Sequence, residues 1–177
     1  MDHGTDSAKE QRGICLSEKE EFCDQIRQNA GAMYRLAYAL MHNDEDASEV
    51  LSEAIYRAYK NYTKLRNPQA FKTWILKIVH NTAVEMIRKN ARLVPLEQTE
   101  QLPTTAFKED LTTRILLREA VESLKQPYRT VTVLYYYENL SVNEIAKITK
   151  THRVTVRQQL TRSRKMLFEK LKEDVEK

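Results

Sequence analysis

The chain has 177 residues, of which 41% are hydrophobic and only three are glycine, and its formal net charge is +4. This length allows one ordinary domain or two small ones, and so few glycines argue against a β-rich fold with many tight turns. The abundance of good helix formers favours an all-α fold instead. No apolar run approaches the roughly 20 residues that cross a bilayer, and the polar N-terminus lacks a signal-peptide core. We therefore expect a cytoplasmic protein with no direct membrane insertion.

Charge is segregated along the chain in a way that the modest net value conceals. An acidic block runs from Asp44 to Glu53 without a single Lys or Arg, whereas the stretch from Lys147 to Lys165 carries seven cations and no acid. The segment from Lys72 to Arg92 is also mostly basic. One acidic and two basic surfaces indicate more than one macromolecular partner, at least one of them anionic.

Neither the cysteines nor the histidines form a recognisable site. Cys15 and Cys23 are too few for a disulfide framework, and the four histidines are scattered, without zinc-ligand spacing or a nucleophile motif. We expect two free thiols, no metal and no cofactor. An enzyme is the least favoured class of function.

The first helical domain is predicted to span residues 17–92. Asn43, Asp44 or Asp46 can cap a second helix, because each has a side-chain oxygen that can accept from the first free amides. Pro68 lies where a third helix can begin. Apolar residues recur at helical spacing through all three helices, which therefore share enough apolar surface for one bundle.

Two segments are predicted to lie outside the helical domains. Residues 1–16 are polar and aperiodic, which is typical of a loose tail, and residues 93–110 contain Pro95 and Pro103 without a sustained period. We interpret 93–110 as an extended linker, since its stretch of roughly 16 residues from Leu93 to Lys108 reaches about 50 Å when fully extended. A second helical domain then covers residues 111–177.

The segment RTVTVLYYYENL, residues 129–140, is ambiguous. Its β-branched and aromatic residues favour a strand, but no second strand is visible to pair with it. Val131, Leu134 and Tyr135 have the i, i+3, i+4 spacing of a helix, so we predict a buried helix here.

The segments that follow predict a helix-turn-helix. Ser141 and Glu144 have the spacing of a capping box at the start of a short helix. The stretch RVTVRQQL after it could be a strand by its alternating valines, but Val156 and Leu160 lie on one helical face. Two short helices joined by a tight turn, the second densely basic, are typical of a DNA-binding motif whose second helix is the recognition helix.

The outward residues of the recognition helix are candidates for contact with DNA. Arg and Gln suit base edges, because they bond guanine and adenine bidentately, whereas cations further along the helix suit phosphates. A merely solvated basic face is the alternative. The candidates towards DNA are Arg153, Thr155, Arg157, Gln158 and Thr161, with Arg162, Arg164 and Lys165 as phosphate anchors.

The span from Glu144 to Arg164 resembles the fourth conserved region of bacterial RNA polymerase sigma factors, especially the small extracytoplasmic-function group of the sigma-70 family. Lys150 and Val154 stand where that family prefers Gly. In the N-terminal half, MYRLAYALMHNDEDASEVLSEAIYRAY and AFKTWILKIVHNTAVEMIRK are similar to the second conserved region. The matching residues of the fourth region are Glu144, Ile145, Ala146, Thr155, Val156, Arg157, Leu160, Arg162 and Arg164.

The resemblance implies a transcription initiation factor, often of a stress response, that binds core RNA polymerase at the β′ clamp and β flap and directs it to promoters. The recognition helix would read the minus-thirty-five element as duplex DNA, and the second region would recognise and melt the minus-ten element. Phe71 and Trp74, taken alone, are more often core residues than platforms for stacked bases. The residues implied for core polymerase binding are Asp46, Glu49, Leu51, Ser52 and Glu53. Those implied for the minus-ten element are Lys64, Arg66, Asn67, Phe71, Lys72, Trp74, Lys77, Asn81 and Arg88.

The family also implies regulation by an anti-sigma factor, often membrane-bound, and we expect the free protein to be monomeric. The competing interpretation is a dimeric helix-turn-helix repressor or activator with a ligand-sensing helical domain. Such a protein would bind duplex DNA without polymerase.

Overall fold

The computed structural model describes residues 16–93 and 111–175. No β-strand occurs in these ranges, so the all-α prediction is confirmed for them, and none of their helices is long and apolar enough to cross a membrane. The predicted tail and linker, with Cys15, Pro95 and Pro103, fall largely outside the described residues. The helices in chain order are α1 (Leu16–Met41), α2 (Asp44–Asn61), α3 (Phe71–Leu93), α4 (Leu111–Ser123), α5 (Tyr128–Thr132), α6 (Val142–Thr149) and α7 (Arg153–Val175).

Helices α1 to α3 pack together as an N-terminal domain. Asn43 is the N-cap of α2, because its side-chain oxygen accepts from the amides of Glu45 at 2.8 Å and Asp46 at 3.3 Å. Pro68 begins a 3₁₀ turn that leads directly into α3, as predicted. The buried face of α2 consists of small residues, which let neighbouring helices approach closely. These residues are Ala47, Val50, Ala54 and Ala58.

An aromatic cluster holds the start of α3 in this bundle. Phe71 is only 2% exposed, and its ring centroid lies 6.3 Å from that of Phe22, 6.2 Å from that of Tyr62 and 5.6 Å from that of Trp74. Such ring pairs each add about 0.5–1.5 kcal/mol beyond the area that they bury. Phe71 is therefore a core residue, the commoner of the two roles open to it from the sequence.

The ambiguous segment after residue 128 is helical. Helix α5 continues into a π-helical turn, Val133–Tyr137, in which the amide of Glu138 donates to the carbonyl of Val133 at 3.2 Å. Val131 and Leu134 are buried. The helical prediction is confirmed, because burial of these side chains outweighs their preference for strands. The sequence predicted a helix here but did not predict its π-helical turn.

Helices α6 and α7 form the predicted helix-turn-helix. The capping box is present: the amide of Glu144 donates to Ser141 Oγ at 3.3 Å, and the amide of Ser141 donates to Glu144 Oε2 at 2.9 Å. The amide of Val156 donates to the carbonyl of His152 at 3.0 Å, which starts α7. RVTVRQQL is thus a helix and not a strand.

Lys150, which ends α6, has a left-handed backbone with φ of +54°. This conformation costs a non-glycine residue about 1–2 kcal/mol, and the Lys150 side chain is exposed. We expect Lys150→Gly to raise the free energy of unfolding by about 1 kcal/mol, measured by urea denaturation, because relief of this strain exceeds the added freedom of the unfolded chain. Lys147→Gly removes the same charge within α6 and should lower stability by about 1 kcal/mol. Equal destabilisation by both changes would contradict the prediction.

The C-terminal domain, α4 to α7, packs directly against the N-terminal domain. Helix α6 contacts α3, while α5 and the π-helical turn contact α1. One buried apolar cluster includes residues of both domains, among them Leu76 of α3 and Ile145 of α6. The two domains therefore share part of their core.

Candidate nucleic-acid interface and acidic helix face

The recognition helix α7 buries one side and exposes cations on the other. Val156, Leu160 and Ser163 are each at most 2% exposed and fix the orientation of the helix. At 100° per residue, Arg153, Arg157 and Arg164 lie within about 40° of one another, and Gln158, Thr161 and Lys165 lie on the adjacent outward face. All six of these side chains are exposed. Thr155 and Arg162 lie about 160° round the helix from the arginine row, so one DNA groove need not reach them.

Arg164 is positioned by the π-helical turn. Its Nε donates to the hydroxyl of Tyr136 at 2.7 Å, and its guanidinium lies 5.9 Å and 6.0 Å from the ring centroids of Tyr135 and Tyr136. The hydrogen bond that Arg164 donates to the Tyr136 hydroxyl raises the pKa of Arg164. This fixed, permanently charged group suits a phosphate anchor. Sequence reasoning missed Tyr136, because the YYY run was interpreted as core.

Other candidates on α7 are held less firmly. The Thr161 hydroxyl donates to the carbonyl of Arg157 at 3.0 Å, so it can only accept from a DNA base. Arg153 Nη1 lies 3.5 Å from Asn143 Oδ1, and Lys165 Nζ lies 3.8 Å from Glu169 Oε1. Contacts at such distances are easily exchanged for phosphate.

A second basic stripe runs along α3. Trp74, Lys77, Asn81 and Arg88 fall within about 60° on this helix. Lys77 and Arg88 are exposed, while Trp74 and Asn81 are half-buried. Cations beside an aromatic ring and an amide have the chemistry that holds the backbone and bases of a single strand.

Lys72 lies away from this stripe. It is about 140° round α3 from Lys77. Its Nζ donates to the main-chain oxygen of Glu138 at 3.0 Å and lies 3.0 Å from a carboxylate oxygen of the same residue. Of the residues predicted for the minus-ten element, Lys72 therefore faces the C-terminal domain, and Phe71 has almost no surface to offer.

The loop before α3 carries three of the predicted residues. Lys64, Arg66 and Asn67 are all exposed between α2 and α3. The side-chain oxygen of Asn67 accepts from the amide of Gln69 at 3.0 Å, and Lys64 Nζ donates to Asn61 Oδ1 at 2.9 Å. The side-chain NH2 of Asn67 can still donate a hydrogen bond to an acceptor on a base edge.

The acidic face of α2 gathers four of the five residues predicted to bind polymerase. Asp46, Glu49, Ser52 and Glu53 share one side of the helix, with Glu49 and Ser52 exposed. Leu51 lies about 160° from Glu53 and packs against the buried cluster. Asp44, Glu45 and Asp46 lie in the first turn of α2, where negative charge stabilises the N-terminus of a helix, so part of the acidic charge stabilises α2 itself.

Glu53 belongs to a chain of ion pairs between α2 and α3. Arg57 Nε donates to Glu53 Oε1 at 2.6 Å, and Arg57 Nη1 donates to Glu85 Oε2 at 2.5 Å. These bonds, that to Glu85 first, raise the pKa of Arg57. Since all three side chains are 39% exposed or more, the pairs fix side-chain positions more than they add stability.

His80 is the most strongly perturbed histidine in the described residues. Burial, and to a lesser extent the charge of Lys150, lowers the pKa of His80 from 6.5 to about 4. Between pH 4 and pH 6.5, His80 binds a proton in the unfolded chain but not in the folded chain. The contribution of His80 to stability is therefore complete above pH 6.5 and is lost as the pH falls towards 4, by about 1.4 kcal/mol per unit.

This linkage predicts a specific effect of replacing His80. We expect His80→Gln to reduce the loss of unfolding free energy between pH 7 and pH 5 by about 2 kcal/mol, measured by urea denaturation at both values. His152→Gln replaces an exposed histidine and should leave that loss as it is in the wild type. An identical pH dependence in all three proteins would show that His80 does not titrate as described.

The fold and these surfaces define a helical, two-domain protein with a helix-turn-helix and a second basic surface on the other domain. Family models match the chain in both domains: Sigma-70 region 2 over residues 25–93 and Sigma-70, region 4 over residues 114–167. The RNA polymerase sigma factor SigV of Bacillus subtilis is 33% identical over 143 residues, which cover 80% of this chain and 86% of SigV. The ECF RNA polymerase sigma factor SigW of the same species is 28% identical, covering 88% of this chain and 91% of SigW.

The solved structures give the same fold. The sigma factor RpoE of Bartonella quintana, solved in complex with the anti-sigma factor NepR, superposes with a TM-score of 0.71 at 20% identity, covering 86% of this chain and 98% of RpoE. CnrH, solved with the cytosolic domain of CnrY, gives a TM-score of 0.61 at 19% identity, covering 88% and 90%. The chain belongs to the sigma-70 family of RNA polymerase sigma factors, in its extracytoplasmic-function group. It is a transcription initiation factor and not an enzyme.

Proposed function

We propose that this chain binds core RNA polymerase through the acidic face of α2, melts the minus-ten element with the stripe on α3 and the loop before it, and reads the minus-thirty-five element with α7. The observation that carries this proposal is the pairing of two different basic surfaces on two domains. The stripe on α3 has the aromatic and amide groups that suit unpaired bases. The outward face of α7 has the Arg and Gln that suit base edges in duplex DNA.

The positions of the predicted residues in the fold assign most of them a role in this proposal. Trp74, Lys77, Asn81 and Arg88 contact the melted strand, and Lys64, Arg66 and Asn67 approach it from the loop. Arg157 and Gln158 read bases, while Arg164 and Lys165 bind phosphates; Arg162, on the other side of α7, takes no part in this contact. Leu51 and Phe71 support these surfaces from within the domain.

We extend the proposal to partners and place. Of the two similar structures, RpoE is bound to the anti-sigma factor NepR, and CnrH is bound to the cytosolic domain of CnrY. By this likeness we propose that an anti-sigma factor holds this chain inactive. We also propose that it acts in the cytoplasm, where bacterial polymerase and DNA lie, and that it binds the β′ clamp and β flap as a monomer.

The decisive experiment is run-off transcription with bacterial core RNA polymerase on a library of random promoters, with and without this chain. We expect transcripts only in its presence, from templates that share two spaced sequence elements. If no transcripts form and the chain alone retards duplex DNA, the proposal is wrong and a helix-turn-helix repressor takes its place.

A further inference from the structure

A cavity of about 670 Å³ lies between α1, α4 and the segment formed by α5 and the π-helical turn. Its floor is a small apolar cluster of Ala39, Val121 and Val133, each at most 8% exposed. This cluster is separate from the apolar core that the two domains share. Cavities of about 300–1,000 Å³ with a mostly apolar lining are typical of binding sites for small molecules. The cavity therefore has the size and the lining that a small organic ligand fills.

Aromatic side chains form much of the wall of this cavity. Tyr34, Tyr38, Tyr136 and Tyr137 all line it. The rings of Tyr34 and Tyr38 are stacked, with centroids 6.1 Å apart and planes inclined by 22°. Tyr34, Tyr136, Tyr137 and the neighbouring Leu117 are exposed, so these apolar surfaces lie open to a ligand. Since paired aromatic rings gain more than the area that they bury, the wall favours an aromatic ligand over an alkyl chain.

One of the positive charges in the cavity has no carboxylate partner. Three arginines line the cavity. Arg118 Nε donates to Glu122 Oε1 at 2.7 Å, and Arg35 Nε donates to Glu138 Oε1 at the same distance. The third, Arg129, forms no ion pair with a carboxylate in the described part of the chain. The cavity is therefore left with one uncompensated cation.

Arg129 is held by neutral groups instead. Its Nε donates to the carbonyl of Leu124 at 2.9 Å, and its Nη1 lies 3.4 Å from the carbonyl of Ala39 and 2.9 Å from Nδ1 of His42. Burial, and to a lesser extent the charge of Arg129, lowers the pKa of His42, so this ring is neutral at pH 7. Burial also lowers the pKa of Arg129. A half-buried cation without an anion is costly, so Arg129 favours an anionic ligand in the cavity.

Two phenols add hydrogen-bond donors to the same cavity. Burial, and next the charge of Glu122, raises the pKa of both Tyr38 and Tyr137, so both hydroxyls stay protonated and can donate. Both also lie within the electrostatic reach of Arg118, and Tyr38 within that of Arg129. The acceptor Glu122 is already bound by Arg118. The polar groups left for a ligand are therefore mainly donors, which suits an oxyanion.

We propose that this cavity binds a small aromatic acid, with its anionic group on Arg129 and its rings against the tyrosine wall. One uncompensated cation matches one negative charge, so a monocarboxylate fits better than a polyanion. The inference goes beyond the polymerase and DNA partners proposed above. Binding requires neither of them and can be measured on the free chain.

The first test compares two probes of the same shape. Naphthalene-2-carboxylate carries a negative charge, and naphthalene-2-carboxamide is its neutral counterpart. Their binding to the intact chain is measured by equilibrium dialysis, followed by the fluorescence of the naphthalene rings. We expect the carboxylate to bind about tenfold more tightly or better, because the neutral probe loses a hydrogen bond between charged groups.

Two results of this comparison would overturn the proposal. Equal affinity for the two probes would show an apolar groove without an anion site, such as a segment of a protein partner covers. No binding of the carboxylate at millimolar concentration would show that the cavity does not take aromatic acids.

Leu117 tests the location of the site without disturbing the core, since its side chain is exposed at the rim. Leu117→Glu adds an anion there and should weaken carboxylate binding about fivefold relative to Leu117→Gln, which has the same shape and no charge. The carboxamide should bind both variants alike. Val154→Glu makes the same change at an exposed position of α7 and should leave both affinities unchanged. Equal carboxylate binding by the two Leu117 variants would place the ligand outside this cavity.

Arg129→Gln tests the anchor itself. Removing this charge should bring the affinities of the two probes within about twofold of each other, because the preference for the carboxylate comes from its bond to a cation. Urea denaturation shows whether the variant folds, since Arg129 also binds two carbonyls. If it folds and keeps the tenfold preference, Arg129 is not the anchor and the proposal is wrong. If it does not fold, the two Leu117 variants decide.

Discussion

Glu53→Arg is expected to weaken binding of the chain to core RNA polymerase at least a hundredfold. Glu53 lies on the acidic face of α2 beside Glu49, and an arginine there would place a cation against a surface that must attract cations of the partner. Like charges opposed across an interface cost several kcal/mol, which corresponds to two or more decades of affinity. The measurement is a titration of labelled chain with core polymerase, accompanied by run-off transcription.

The control for this change is Glu20→Arg, which makes the same charge reversal at an exposed position of α1. It should leave polymerase affinity within about twofold of the wild type, since long-range charge effects are screened within about 8–10 Å at ordinary salt. Loss of the pair between Glu53 and Arg57 should cost at most about 1 kcal/mol of folding stability, because both side chains are well exposed. If Glu53→Arg binds core polymerase with wild-type affinity, the acidic face of α2 is not part of the polymerase interface.

The features that the sequence predicted correctly depend on neighbours within one helical turn. The cap of α2 and the box of Ser141 with Glu144 are contacts between residues two or three apart. Residue type and spacing therefore identified the box and narrowed the cap to Asn43, Asp44 or Asp46, of which the structure selects Asn43. The same holds for the helical face of Val156 and Leu160 on α7. Such local patterns predict the structure well when the apolar face that they define is also the face that packs in the folded protein.

Lys72 and Leu51 do not lie on the surfaces predicted for them, although the sequence contains the information that separates them from those surfaces. At 100° per residue, Lys72 falls off the stripe of Lys77 and Asn81, and Leu51 falls off the face of Glu53. The family resemblance assigned Lys72 to the same DNA-binding surface as Lys77 and Asn81, and Leu51 to the same polymerase-binding surface as Glu53. The helical phase, which the sequence does contain, separates them.

The contacts of Glu138 had no signal that one sequence could supply. Its partners Arg35 and Lys72 are 103 and 66 residues away, on the other domain. The π-helical turn before it shifts the direction of its side chain by one residue relative to an α-helix. Composition indicates that a buried carboxylate will pair with cations, but only the packing of the two domains shows that Arg35 and Lys72 are those cations.

Arg157→Ala is expected to weaken promoter recognition by about 1–3 kcal/mol, or roughly 5- to 150-fold, and to relax the preference for one base pair of the minus-thirty-five element. Arg157 is exposed in the arginine row of α7, where its planar guanidinium can bond two acceptors of one guanine. The measurement is competition binding of the chain with core polymerase to a promoter found by run-off transcription and to its single base-pair variants.

Lys165→Ala supplies the contrast, because Lys165 lies two turns further along α7 and is proposed to bind phosphate. This change should weaken binding equally across all sequence variants and lower the slope of log affinity against log salt by about one. The two substitutions each remove one positive charge from the same helix, so a difference between their specificity profiles cannot come from net charge. If Arg157→Ala also weakens every sequence alike and lowers the salt slope, Arg157 is a phosphate anchor, and base reading must then rest on Gln158 and its neighbours.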